Sequence, residues 1–185
     1  MTRCTWTNNN SYNIEYHDNE WGVPVHDDNK LFEFLVLDAF QAGLSWLTIL
    51  KKRENFRKAF DNFDYVKIAK YDEQKILELK NNAGIIRNKL KINATISNAK
   101  LFIKIQKEFN TFDNYIWSFV NHKTIKNNFK THAEIPATSK ESDAMSKDLK
   151  KRGFKFVGST ICYAIMQAAG MVNDHETTCF RYNEV

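Results

Sequence analysis

The chain has 185 residues, enough for one compact domain or two lobes sharing a core, and its 43% hydrophobic content fills that core instead of leaving the chain disordered. Lys and Arg number 27 against 22 Asp and Glu, a formal charge of +5 that suits a polyanionic partner without demanding one. Three cysteines without a secretory leader, and no apolar run of membrane-spanning length, argue against a disulfide scaffold and a membrane protein, so a soluble cytoplasmic protein is expected.

Two prolines and six glycines leave few breaks, and the hydrophobic periods suit helices, so the expected class is all-α, one unit over 1–185. Thr2 to Pro24 is polar, aromatic and irregular, a segment that orders only by packing on something else. Asp27 or Asp28 caps a helix from Lys30, and Gly43 ends it in the left-handed conformation. Ser45 caps a helix from Trp46 towards Phe60, Asp64 a short one to Lys70, and Asp72 another to about Lys80. Asn81 to Gly84 is a turn, followed by a long helix from Asn88 to Glu108. Asp113 starts a short segment with Trp117 and Phe119, and 121–139 is a long polar loop. Ser142 caps a basic helix stopped by Gly153, and a last helix runs from Ser159 to Ala169, ended by Gly170.

Three stretches carry chemistry. Leu31 to Phe40 is apolar on nearly every face of its helix, so Asp38 falls in buried surroundings, where a carboxylate needs a partner. Across the Gly43 corner stands Trp46, and a flat aromatic face beside a carboxylate suits a planar, amino-bearing or cationic ligand. A core tryptophan with an aspartate capping backbone fits the same residues. The second stretch, about 149–169, reads as helix, glycine-bounded hairpin, helix. Gly153 and Gly158 let the backbone approach a partner, and Lys150, Lys151, Arg152 and Lys155 place positive charge beside the amides that open the second helix. An ordinary corner with a solvated basic face is the competing reading. Third, the terminal segments, about 1–24 and 171–185, hold Cys4 and His17 at one end and His175 and Cys179, at helical i, i+4 spacing, at the other. Two thiolates and two imidazoles make a closed tetrahedral zinc set, and joining distant ends gives it a structural motive. Merely packed histidines and cysteines are the alternative. Cys162 reads as core, and His26, His122 and His132 have no assignable partner. No nucleophile elbow, phosphate-binding loop or dinucleotide fingerprint is present.

Together the segments Arg3-Cys4 with Trp6, Tyr16-His17-Asp18-Asn19-Glu20-Trp21-Gly22, Gln41 to Trp46, Asn82 to Arg87, Trp117 to Asn121 and Lys151 to Gly158 resemble the bacterial 3-methyladenine DNA glycosylase I family of the helix-hairpin-helix superfamily. The resemblance spans nearly the whole chain. It implies a helical monomer that binds alkylated double-stranded DNA, flips out 3-methyladenine and hydrolyses its N-glycosidic bond. It implies one structural Zn²⁺ per chain on Cys4, His17, His175 and Cys179. It assigns Trp46 to stacking on the base, Asp38, Tyr16 and Trp6 to the pocket, and Leu44, with Gln41 and Gly43 beside it, to a wedge in the DNA. Gly153, Lys155 and Gly158 stand in the phosphate-binding hairpin. Two positions depart from the family, which has glutamate where this chain has Asp38 and tyrosine where it has Asn13. The alternative of a different class is a non-catalytic, zinc-stapled module that only binds damaged DNA.

Overall fold

The computed structural model describes Met1–Val185. Its helices are α1 (Ser11–Asn19), α2 (Asp28–Gln41), α3 (Trp46–Ala59), α4 (Tyr65–Ile68), α5 (Glu73–Asn81), α6 (Lys89–Phe109), α7 (Phe112–Trp117), α8 (Lys140–Lys151) and α9 (Ser159–Ala168), joined by short 3₁₀ turns. Asp27, Ser45, Asp64 and Asp72 each accept an orphan backbone N–H of the helix that follows, as the sequence leads one to expect, and Asn88 does the same for α6. Each such cap contributes about 1 kcal/mol.

Four expectations are corrected. The irregular N-terminal segment contains α1, started by Asn10, whose side chain accepts from the Tyr12 amide. Thr111, not Asp113, caps α7. Ser139, not Ser142, caps α8, while the Ser142 hydroxyl takes the N–H of Ser139 in return and completes a reciprocal box. The chain is not purely helical: β1 (Ile125–Lys126) pairs in parallel with β2 (Val172–Asn173), tying the polar loop to the C-terminal segment. Two residues are too few to leave a period-two pattern.

Helix α2 is the centre of the molecule. Every residue from Leu31 to Phe40 is buried, and α3, α6, α7 and α9 pack around it. Its buried Leu, Val and Phe side chains, each worth about 1.5–3 kcal/mol, hold the helix in place and carry Asp38 inward with it. One apolar core of 42 residues runs through the fold. The N-terminal segment crosses the end of α9, with the Gly22 amide on the Gln167 carbonyl and the Val25 amide on that of Ala169, both at 3.0 Å. Gly170 makes the crossing possible. Its φ is +68°, and a Cβ there would lie 2.3 Å from the Val23 carbonyl carbon. No helix is long and apolar enough to cross a membrane.

Candidate functional site

A cavity of about 470 Å³ opens where α1, the ends of α2 and α3, and α9 meet, within the size range of small-molecule sites. Trp6, Tyr16, Trp21 and Trp46 make its aromatic walls, with the Tyr16 and Trp46 ring centroids 5.2 Å apart and Trp6 and Trp21 also at 5.2 Å. Asn13, Asp38, Gln41, His132 and Gln167 supply the polar lining. The apolar course of α2 up to Phe40 places Asp38 at the floor, and the Gly43 turn, at φ +80°, brings Trp46 round to face it. The two residues joined by the glycine corner in sequence therefore do share one site.

Asp38 is 3% exposed, and its Oδ2 has no hydrogen-bond partner. The indole N–H groups of Trp6 and Trp46 are likewise buried without an acceptor. Burial alone raises the Asp38 carboxyl well above its ordinary value, against a smaller opposing effect of Arg53. Tyr16 is raised in the same way, by burial and then by Asp38. Arg53 does not serve as a partner to Asp38. Its guanidinium is committed bidentately to Glu20, at 2.7 Å on both nitrogens, and through Nε to Glu33 at 2.7 Å. Burial pushes Glu20 up, but Arg53 and Lys30 outweigh it and leave that carboxyl at about 2. The reading of Asp38 as a backbone cap or a lysine or arginine partner thus finds no contact, and its acceptor is free for something that enters the cavity.

A smaller chamber of about 210 Å³ shares Asp38 and Gln41 with this cavity and is lined further by Gly43 and Leu44 of the turn and by Thr160 and Ile161 of α9. Leu44 is 41% exposed, an apolar side chain projecting from the turn that covers the carboxylate.

The second constellation lies at the joined termini. Ligand atoms of Cys4, His17, His175 and Cys179 all fall within 4.8 Å of one another, and all four residues are buried. Cys4 Sγ is 3.5 Å from His175 Nδ1, and Cys179 Sγ is 3.4 Å from His17 Nε2. Outer partners orient the ligands: Asp18, itself gripped by Arg3, accepts from His17 Nδ1 at 2.7 Å, and the Trp21 carbonyl accepts from His175 Nε2 at 3.0 Å. The hydrogen bond between the thiols and then burial push Cys4 up, while bonds from Cys4, His17 and His175 hold Cys179 low. Such a set, unable to ionise both thiols unaided, fits a divalent cation. His175 and Cys179 do not lie on a helix as their spacing suggested. They bracket a tight turn closed by the Cys179 amide on the Glu176 carbonyl at 2.7 Å.

At the glycine-bounded hairpin, α8 and α9 pack against each other across the turn from Arg152 to Gly158, with Gly153 at φ +97°. Lys150, Lys151 and Lys155 are exposed, but Arg152 is engaged internally by Asp148 and Glu108 at 2.6 Å each. The free positive charge is therefore three lysines rather than four cations.

Several residues carry more than the sequence disclosed. His132 lines the cavity from the polar loop, and His26 bonds Asp113 at 2.8 Å. Asp174 is buried and accepts from Asn127, Tyr163 and Gln167, which ties the C-terminal segment to the polar loop and to α9. Cys162 is core, and burial pushes its thiol up to about 12.

Residues 6–182 match the profile of a family described as methyladenine glycosylase. The chain is 51% identical over 182 residues to DNA-3-methyladenine glycosylase 1 of Escherichia coli strain K12, covering 98% of this chain and 97% of that one. Among solved structures it superposes on a crystal structure of 3-methyladenine DNA glycosylase I with a TM-score of 0.94 at 49% identity, over 97% of this chain and 98% of the other. A tyrosine-to-phenylalanine variant of such a glycosylase in complex with 3-methyladenine gives a TM-score of 0.93 at 33% identity, over 97% of both chains.

Proposed function

Since the chain belongs to the methyladenine glycosylase family, we propose that it is a DNA repair N-glycosylase which flips 3-methyladenine out of duplex DNA and hydrolyses its N-glycosidic bond. The observation that carries this reading is the orphaned Asp38 carboxylate, buried at the floor of an aromatic cavity with two unpaired indole donors beside it. Alkylation at N3 makes adenine cationic and weakens its bond to the sugar, so the protein needs no covalent nucleophile. The bond electrons return to the base, which departs neutral while stacking and hydrogen bonds hold it in the pocket, and water adds to the sugar carbon with loss of a proton.

The lining of the cavity supports the following roles. Trp46 stacks on the base, Tyr16 contacts its edge, and Trp6 closes the wall. Asp38 accepts from the exocyclic amine, and the cation brought against it supplies the charge that burial withholds, returning the carboxyl to its ionised form. Leu44 fills the gap left in the duplex, carried on the turn from Gln41 through Gly43. The α8–α9 pair acts as the helix-hairpin-helix element, with Gly153 and Gly158 letting phosphates approach and Lys155 beside them.

At the termini, Cys4, His17, His175 and Cys179 would hold zinc. The closed ligand set leaves no position for a catalytic water, so such a metal would supply structure and no chemistry. Release of free 3-methyladenine from methylated duplex DNA, followed by chromatography, tests the activity. Tight binding to the damaged duplex with no base released would replace the glycosylase by a damage-binding module.

A further inference from the structure

Lys91 is an unusual lysine: it is 6% exposed and forms no ion pair with any carboxylate. Its Nζ instead donates to the carbonyls of Phe40 and Ala42, at 2.9 and 2.6 Å. These belong to the last turn and the C-cap of α2, where carbonyls lack helical partners and the dipole favours a cation. The same ammonium lies 5.9 Å from the centre of the Phe156 ring in the hairpin.

Beyond Ala42 the chain leaves the helix, turns at Gly43 and presents Leu44, whose amide returns to the Gln41 carbonyl at 2.6 Å. Lys91 thus clamps the first residue of the Leu44 turn. Seven residues further on, on the same face of α6, Asn98 accepts from the Lys155 amide and donates to the Lys155 carbonyl, both at 2.9 Å. One helix face therefore fixes the turn that carries the exposed leucine and the hairpin that carries the exposed lysines.

Resting on the glycosylase reading above, we propose that Lys91 is a positioning residue for base extrusion. It holds the Gln41–Ser45 turn so that Leu44 enters the duplex in register with the phosphates gripped by the hairpin. A methionine at this position would keep the aliphatic stem and leave two carbonyls without a donor, freeing the turn while the pocket walls stay in place.

The test is a double-mutant cycle on the full-length, metal-loaded protein, comparing wild type, Lys91→Met, Leu44→Ala and the double variant. Single-turnover excision is measured together with the fluorescence of a 2-aminopurine beside the lesion, which reports extrusion even without cleavage. Lys91→Met should slow extrusion about tenfold, leave affinity for undamaged duplex within roughly twofold, and add little to the loss from Leu44→Ala, because both act through one turn. Losses that multiply in the double variant, or a normal extrusion rate per folded molecule with only a lower melting temperature, would overturn the proposal. If Lys91→Met does not fold, Lys91→Gln, a shorter neutral donor, takes its place in the same cycle and should slow extrusion by a smaller factor that again adds little to the loss from Leu44→Ala. A wild-type protein that extrudes the base without releasing it defeats the glycosylase reading alone, and the fluorescence still decides the role of Lys91.

Discussion

At the joined termini the polar side chains converge. Four ligand atoms point at one spot, and Asp18, the Trp21 carbonyl and the Glu176 amide hold them from behind. In the aromatic cavity next door the polar groups diverge from the protein: Asp38 Oδ2 and the indole nitrogens of Trp6 and Trp46 are buried with no partner, and only one further buried side-chain atom, Arg181 Nε, shares that condition. A folded chain ordinarily satisfies such atoms, because each orphan costs about 1–3 kcal/mol. One region turns its polar atoms on one another, whereas the other leaves them without partners. Damage to the first should therefore be read in stability and damage to the second in activity.

The strongest break falls on the converging cluster. Cys179→Ala should abolish binding of the roughly one zinc per chain and lower the melting temperature by about 10 °C or more. Metal analysis and calorimetry check both, and a metal-free protein with unaltered melting would contradict the structural role.

A smaller and opposite pattern is expected in the cavity. Asp38→Asn should cut single-turnover excision by about a hundredfold while stability holds or rises. The pH dependence sets the sign. Burial raises the folded Asp38 above the ordinary 3.8, so between those two values the native state holds a proton that the unfolded chain has released. Wild-type stability therefore declines as pH rises through that window, and the asparagine variant escapes this loss. The difference in melting temperature in favour of Asp38→Asn should grow as pH is raised from the ordinary carboxylate value. Asp38→Glu, which restores the family's longer reach, should retain or improve excision. An asparagine variant that melts early yet excises normally would place Asp38 in the first region instead of the second.

The mildest effect sharpens the comparison from outside both regions. Lys155→Glu should weaken binding to every duplex alike, reduce the salt slope by about 1, and leave both the melting temperature and the choice of base unchanged. An unaltered slope would make the hairpin a simple corner.

Much of this was legible in the residues themselves. Local caps such as Asp27, Ser45 and Asp64 marked helix starts because they act within three positions. Asp38 and Trp46 could be joined because a glycine corner separates them. Helix α1 could not be seen, for it has no clean apolar stripe and is held by tertiary packing of Tyr16 and His17. His132 enters the cavity from a loop with no period, and Lys91 reaches carbonyls some fifty positions away, so neither leaves a local mark. The turn geometry of His175 and Cys179 also escaped, since i, i+4 spacing suits a helix and a tight turn alike.

The order of the four cluster residues along the chain has a consequence for biosynthesis. Cys4 and His17 emerge from the ribosome early, but their partners follow only after almost everything else has been made. At ordinary elongation rates the interval is roughly ten to thirty seconds. Throughout it Cys4 and His17 wait without the two residues that bury them in the finished fold. The cluster therefore cannot close before Cys179 has been made, and a product that stops short of that residue never brings its four members together.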